Sequence, residues 1–348
     1  MGDRFGASPV ELVCVSPTST WVRALFVRIA LIRRNMATQD YLCLALHVFL
    51  WLEAMSVPST PTGILCRWST SSLLLVTMGA LLTVRGELIR SSMITAVLYR
   101  LGVFFPAVAT YFELRLLLPA LQPTLLDGYL VAIDRAMFGV TPSMWLERFN
   151  TLAVIEWFSF FYYSYFWILV VVLMPALFLW RGRATRELFA GATTILVVGH
   201  VGYALVPGVG PYLTLPFAEP VHGGFWWHQV LVVVENAGAL MDIFPSLHTA
   251  TPSFFALHAF HNRKMVPHRY TWPLLAFFAL NIIIATMMLR WHYGIDIIAG
   301  LALAFVAYRL SLVVARCEER GADEPRQAVW PRFGVGPCGG YTQAVGHD

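Results

Sequence analysis

Charge is scarce in this chain of 348 residues, because Asp, Glu, Lys and Arg together make up only 13% of it. That is roughly half the share found in soluble domains, too little to furnish a large water-facing surface. The net charge of +4 is equally small, which argues against nucleic acid as a partner. The five cysteines, Cys14, Cys43, Cys66, Cys317 and Cys338, form no Cys-x-x-Cys pair and no metal-finger spacing, which excludes a disulfide framework and a thiolate metal site. The first twenty residues lack an apolar run ending in a small-residue cleavage site, so a removable signal peptide is not expected. No internal repeat and no low-complexity tract is visible, and with them goes the inverted symmetry that many transporters carry.

Hydrophobic residues are abundant instead, at 58% with a mean hydropathy of +0.65. Apolar runs occur at about 41–57, 68–84, 96–119, 154–180, 187–206, 246–261, 271–289 and 292–315. Each approaches the ~20 residues that cross a bilayer as helix, and unpaired strand amides are not tolerated in hydrocarbon. The expected fold is therefore all-α, a multi-pass membrane bundle of eight spans. Segment 21–34 mixes apolar residues with Arg23, Arg28, Arg33 and Arg34, a pattern suited to an interfacial helix. The segment after Arg316 is rich in charge and glycine and is expected to be disordered.

Arg and Lys alternate between connections. They cluster before residue 41, at Arg85 and Arg90, at 181–186, at 263–269 and from Arg309 onward, whereas the other side holds only Arg67, Arg115, Arg135, Arg148 and Arg290. The positive-inside rule then puts both termini in the cytoplasm and segments 120–153 and 207–245 outside, or in a lumen. Within the latter, Phe225–Leu240 reads as a re-entrant or interfacial helix, or else as an amphipathic connector.

Two polar clusters fall on that exterior side. The first is Phe244-Pro245-Ser246-Leu247-His248, where Pro245 and Ser246 suit a helix start whose free N–H groups attract anions. The second is Arg290-Trp291-His292-Tyr293-Gly294-Ile295-Asp296, in which His292 and Asp296 are four apart and share a helix face. Forty-four residues separate His248 from His292, which is one helix inward, a basic turn and one helix back. Both histidines return to one membrane level, where a carboxylate-oriented imidazole and a second imidazole suit nucleophilic and acid catalysis.

Phe244 to His248, with His292, Tyr293, Asp296 and Gly300, resembles the type 2 phosphatidic acid phosphatase superfamily, and most of all its inositol phosphorylceramide synthase (inositolphosphotransferase) branch. The resemblance spans residues 96–315. It implies a six-helix catalytic core, preceded by a cytoplasmic segment at 1–40 and two extra membrane helices at 41–95, and followed by a tail at 316–348. It further implies that His292 attacks phosphorus, Asp296 orients it and His248 protonates the leaving oxygen, with Arg290, Ser246, Gly210 and Tyr212 on the substrate side. No metal and no cofactor is implied. The partners would be a lipid phosphate, an alcohol or water acceptor, and the bilayer.

The pattern is not complete. Ala285 and Thr286 stand where phosphatase members carry Ser-Arg, and Pro207-Gly208-Val209-Gly210-Pro211-Tyr212 lacks the Lys and Arg of their first motif. Arg115, Arg135 or Arg148 would have to supply the missing cation. His47 and His200 read as structural, His258, His261 and His268 lie at the opposite end, and Trp226, Trp227 and Tyr212 suit an aromatic belt or a lipid access path. Glu235 and Asp242 read first as helix caps, with contact to a polyol headgroup as the other role. The leading functional reading is a phosphotransferase moving a phosphorylated alcohol, plausibly phosphoinositol, between lipids. The alternatives are a lipid phosphate phosphatase and, from another class, a proton-coupled membrane transporter.

Overall fold

A computed structural model describes residues 17–320 except 90, 91, 122, 181, 238 and 239. The described residues contain no strand, and the helices run in chain order as α1 (Pro17–Asn35), α2 (Thr38–Ser56), α3 (Pro61–Arg85), α4 (Ser92–Tyr99), α5 (Phe105–Ala120), α6 (Asp127–Phe138), α7 (Pro142–Leu146), α8 (Leu152–Phe178), α9 (Arg183–Leu205), α10 (Pro211–Thr214), α11 (Phe225–Ala237), α12 (Leu247–His261), α13 (His268–Met288) and α14 (Gly294–Arg320). A π-helical turn at Arg100–Phe104 joins α4 to α5. Pro106 explains it, because its missing N–H leaves the carbonyl four residues earlier without its usual donor, and the Phe105 N–H reaches back to Arg100 instead.

Each of the eight apolar runs falls on a helix, yet among the described residues six helices are long and apolar enough to cross a membrane: 61–85, 93–120, 152–178, 183–205, 268–288 and 294–318. The expectation of eight spans is corrected at α2 and α12. Gln39, Asp40, His47 and Glu53 dilute the hydropathy of α2, and α12 has only 15 residues, or about 22 Å against a hydrocarbon core of about 30 Å. A helix that short, starting at a polar cluster, holds its first turn recessed within the bundle. The stretch 21–34 lies within α1, most of whose residues are exposed. Helix α14 continues through residues 316–320, and the rest of the tail read as disordered lies outside the described residues.

At the end of the bundle where α2 begins and α3 stops, Arg85 pairs with Asp40 at 2.5 Å, and Tyr99 donates to the same carboxylate. All three are buried. A charge buried this far is tolerable only when paired and hydrogen-bonded. Thr38 closes that end through its N–H and hydroxyl, both donated to Glu318 at 3.0 and 3.1 Å.

The core that carries the site is made by α12 packed against α9, α13 and α14, with α8 alongside. One contact is unusually close. A Cβ on Gly300 would lie 2.6 Å from the Ser246 carbonyl oxygen and 3.0 Å from the Thr249 side chain, so α14 meets the first turn of α12 backbone to backbone. The Ser246 N–H donates to the Asp296 carbonyl at 3.2 Å across the same seam. The two polar clusters are thus locked to each other by main chain.

Candidate active site

Helix α12 starts where its sequence says it should. Ser246 is the N-cap, its hydroxyl oxygen accepting the Thr249 N–H at 3.3 Å, so the buried hydroxyl is spent on capping. His248, in the first turn, sits between two phenol rings of α8. Tyr162 stacks on it at 4.4 Å with planes 10° apart, and Tyr165 lies 4.1 Å away. The His248 Nε2 atom is buried and has no hydrogen-bond partner among the described residues. An imidazole nitrogen buried without a hydrogen bond is costly, and this one lies on the cavity that His292 also lines.

His292 lies across from it, the two ring centroids 6.2 Å apart. Its Nδ1 faces Asp296 Oδ2 at 3.4 Å, and the same oxygen accepts the Tyr293 N–H at 2.9 Å. Asp296 is fully buried, with Oδ1 unpaired. The i, i+4 spacing does bring carboxylate and imidazole together, but not as two residues of one helix: Asp296 is in the first turn of α14, and His292 lies in the turn just before it.

The turn that delivers His292 is built from α13. Arg290 adopts a left-handed conformation (φ 67), and the Trp291 and His292 N–H groups both return to the Thr286 carbonyl at 2.9 and 3.2 Å. Glycine is the usual residue at such a helix end, and a side chain there costs about 1 kcal/mol. The Arg290 guanidinium is tied down in compensation: it donates to the Glu219 carbonyl at 2.8 Å, approaches Glu147 at 3.4 Å and lies 3.8 Å over the Phe217 ring. Burial lowers its pKa from the usual value, and Glu147 opposes that shift. Its partners are thus protein groups, and the side chain does not line the cavity between the histidines.

Gly210 and Tyr212 flank the same turn. Gly210 has φ 83, and a Cβ there would lie 2.5 Å from the Trp291 carbonyl oxygen, while the Tyr212 N–H donates to the Arg290 carbonyl at 2.7 Å. The Tyr212 ring lies 5.0 Å from Trp291. The N–H groups of Val209 and Gly210 point to Asp127, at 3.0 and 2.9 Å, so this glycine-rich loop holds a carboxylate of the protein itself.

Residues 120–153 contribute more than the sequence suggested. Asp127 also accepts the Tyr293 hydroxyl at 2.9 Å. Asp134, two helical turns later on α6, accepts the N–H groups of Gly294 and Ile295, both at 2.9 Å, and so caps α14 from outside. Burial raises the Asp134 carboxyl above the usual range, with those two N–H bonds pulling against it. Burial likewise raises the Tyr293 phenol. Glu156 does the equivalent for α11, accepting from Gly224, Trp226 and Trp227 at 2.9–3.0 Å. Two aspartates seven apart on a short exterior helix, and three tyrosines in the run Tyr162-Tyr163-Ser164-Tyr165, were the available signals. A buried phenol or carboxylate requires a partner, but nothing in the sequence names it.

The histidines open on a cavity. Helices α5, α8, α10, α11 and α12 wall it, with the loop at Val209, the stretch 240–243 and the turn at Trp291 and His292. Its polar lining comprises His248, His292, Asp242, Tyr111 and Tyr162, beside an apolar wall that includes Leu213, Val233, Val234 and Leu240. No Lys or Arg lines it, and Arg115, Arg135 and Arg148 are not among its walls. Arg148 instead stacks 4.3 Å over Trp145. His200 bonds Thr110 at 2.9 Å and His258 bonds the Ala184 carbonyl at 2.9 Å, each between neighbouring helices.

Two imidazoles facing each other, one backed by a carboxylate, in a recess among membrane helices can carry out covalent group transfer with acid–base assistance. A family model for the PAP2 superfamily matches residues 128–310, more than half of the chain, a span that holds both histidine clusters. No curated protein and no solved structure matches it. This all-α, multi-pass membrane chain, with its paired histidines at a recessed helix end, belongs to the PAP2 superfamily and is an enzyme of the lipid phosphatase and phosphotransferase type.

Proposed function

We propose that the protein moves a phosphorylated alcohol, plausibly phosphoinositol, from one lipid to another through a phosphohistidine. The observation that carries this reading is the pair of histidines across one cavity, His292 backed by Asp296 and His248 with an unpaired buried Nε2. His292 Nε2 attacks phosphorus while Asp296 holds Nδ1–H and stabilises the imidazolium that forms. The bond from phosphorus to the lipid oxygen breaks, and His248 gives that oxygen its proton. In the second half the acceptor hydroxyl passes its proton to His248 and attacks the phosphohistidine, restoring His292. The apolar wall of Leu213, Val233, Val234 and Leu240 supports a lipid acceptor.

Labelled phosphatidylinositol incubated with the purified protein, with and without ceramide or diacylglycerol, tests the reading. Label is expected on a second lipid only when an acceptor is supplied. Release of water-soluble phosphate in both arms, with no labelled lipid product, would assign a phosphatase instead.

The same proposal sets the orientation, with both termini cytoplasmic and the site exterior or lumenal. The alternation of Arg and Lys supports it. A reporter fused after Arg316 is expected to read cytoplasmic and one inserted near Gly224 exterior, and a shared side for the two would contradict it.

A further inference from the structure

The cavity contains a carboxylate that the transfer chemistry does not use. Asp242 lines it together with His248 and His292 and is partly accessible. Two contacts help to place it. The Tyr111 hydroxyl, from α5, donates to Asp242 Oδ2 at 2.8 Å, and the Asp242 backbone bridges to Gly208 in the glycine-rich loop. The described residues that line the cavity thus include one carboxylate and no Lys or Arg, an unusual balance for a site that must receive an anion.

That balance discriminates between kinds of phosphate. A phosphate monoester carries close to two negative charges at neutral pH, since its second ionisation lies near pH 6, whereas a diester carries one. Each added charge on a substrate beside Asp242 is repelled, and within a low-dielectric cavity the repulsion over several ångströms amounts to at least about tenfold in affinity. We propose that Asp242 is a specificity-determining residue that excludes dianionic phosphate monoesters and admits monoanionic phosphodiesters. It acts on the incoming phosphate through its charge and takes no part in bond making. The inference rests on the reading of His248 and His292 as the reacting pair.

The probes are short-chain phosphatidic acid, a monoester, and phosphatidylmethanol, a diester of the same lipid whose headgroup has no hydroxyl. Both release diacylglycerol, measured at pH 8 in detergent micelles with ceramide supplied as the acceptor that discharges His292. The wild type is expected to favour phosphatidylmethanol in kcat/KM by at least about tenfold. In Asp242→Asn the ratio of monoester to diester kcat/KM should rise by about tenfold, chiefly through a lower KM for the monoester. Tyr111→Phe keeps the charge and should keep the wild-type preference. A merely structural role for Asp242 would depress both substrates by the same factor, and that result overturns the proposal. The wild type gives a second reading even if the variant does not fold: dimethyl phosphate should inhibit at about tenfold lower concentration than inorganic phosphate, and the reverse order also overturns it. Loss of turnover in His292→Ala with unchanged selectivity in Asp242→Asn rejects this inference alone, whereas turnover that survives His292→Ala rejects the site reading beneath it.

Discussion

His292→Ala is expected to reduce lipid turnover by at least about 10⁴-fold, because it removes the atom to which phosphorus is transferred. The two histidines are not equivalent, and their variants should fail differently. Asp296 lies beside His292 Nδ1, where it fixes the tautomer and raises the basicity of the attacking nitrogen. His248 has no carboxylate in contact. It is packed between Tyr162 and Tyr165 in the first turn of α12, where the positive helix end favours release of a proton. His248→Ala should therefore stop turnover of a natural lipid, whose alkoxide leaves poorly, yet still become labelled by an aryl phosphodiester whose leaving group needs no proton. His292→Ala should fail on both. Burst kinetics with the aryl substrate separate the cases, and a burst from His292→Ala together with none from His248→Ala would reverse the assigned roles.

Gly210→Ala is expected to cost about 100-fold in activity and about 2 kcal/mol or more in stability, although alanine adds a single carbon. Position 210 has φ 83, and the new Cβ would stand 2.5 Å from the Trp291 carbonyl oxygen. Backbone cannot rotate away as a flexible side chain does, so either the loop or the Arg290–His292 turn must shift. If the loop moves, the Val209 and Gly210 N–H groups leave Asp127, which also holds the Tyr293 hydroxyl. If the turn moves, His292 moves with it. Gly128→Ala is the control: nothing lies within 4 Å of its added Cβ, and alanine within α6 should be neutral or slightly stabilising. Turnover and thermal unfolding of both variants in one detergent test this, and a fully active Gly210→Ala would show that the loop does not set the position of His292.

The sequence made the elements legible and much of their joinery illegible. Each of the eight apolar runs fell on a helix because hydrocarbon solvent demands long apolar stretches. The run 246–261 already gave α12 its short length, but it was counted as a span, since burial against α9, α13 and α14 selects the same apolar residues as lipid does. The i, i+4 spacing put His292 beside Asp296, but the helix expected to carry both begins at Gly294 and leaves His292 in the turn before it. Arg290 was assigned to phosphate by proximity in sequence. Its left-handed backbone turns the side chain toward Glu219, Glu147 and Phe217, and a one-residue change of direction of that kind leaves no trace in composition. Asp127, Asp134 and Glu156 escaped notice for a related reason. Each binds backbone N–H groups 68 to 161 residues away, and a main-chain partner has no residue type by which to recognise it.

These carboxylates explain how a site with so few cations keeps its shape. Helix N-termini and glycine-rich loops attract anions, and here Asp134 takes the start of α14, Glu156 the start of α11 and Asp127 the loop at Val209 and Gly210. The protein's own anions fill positions that would otherwise compete for phosphate. The polar groups that line the cavity are the pair of histidines with Asp242, Tyr111 and Tyr162.

The central claim is that phosphorus passes through His292. Protein mixed with a lipid phosphodiester labelled at phosphorus, quenched within the first turnover under alkaline conditions that preserve phosphohistidine, and digested for peptide mapping, tests it most directly. The account predicts acid-labile label on the peptide containing His292, absent in His292→Ala and present in His248→Ala with an activated substrate. Label on His248, or turnover with no labelled histidine at any time, would contradict it.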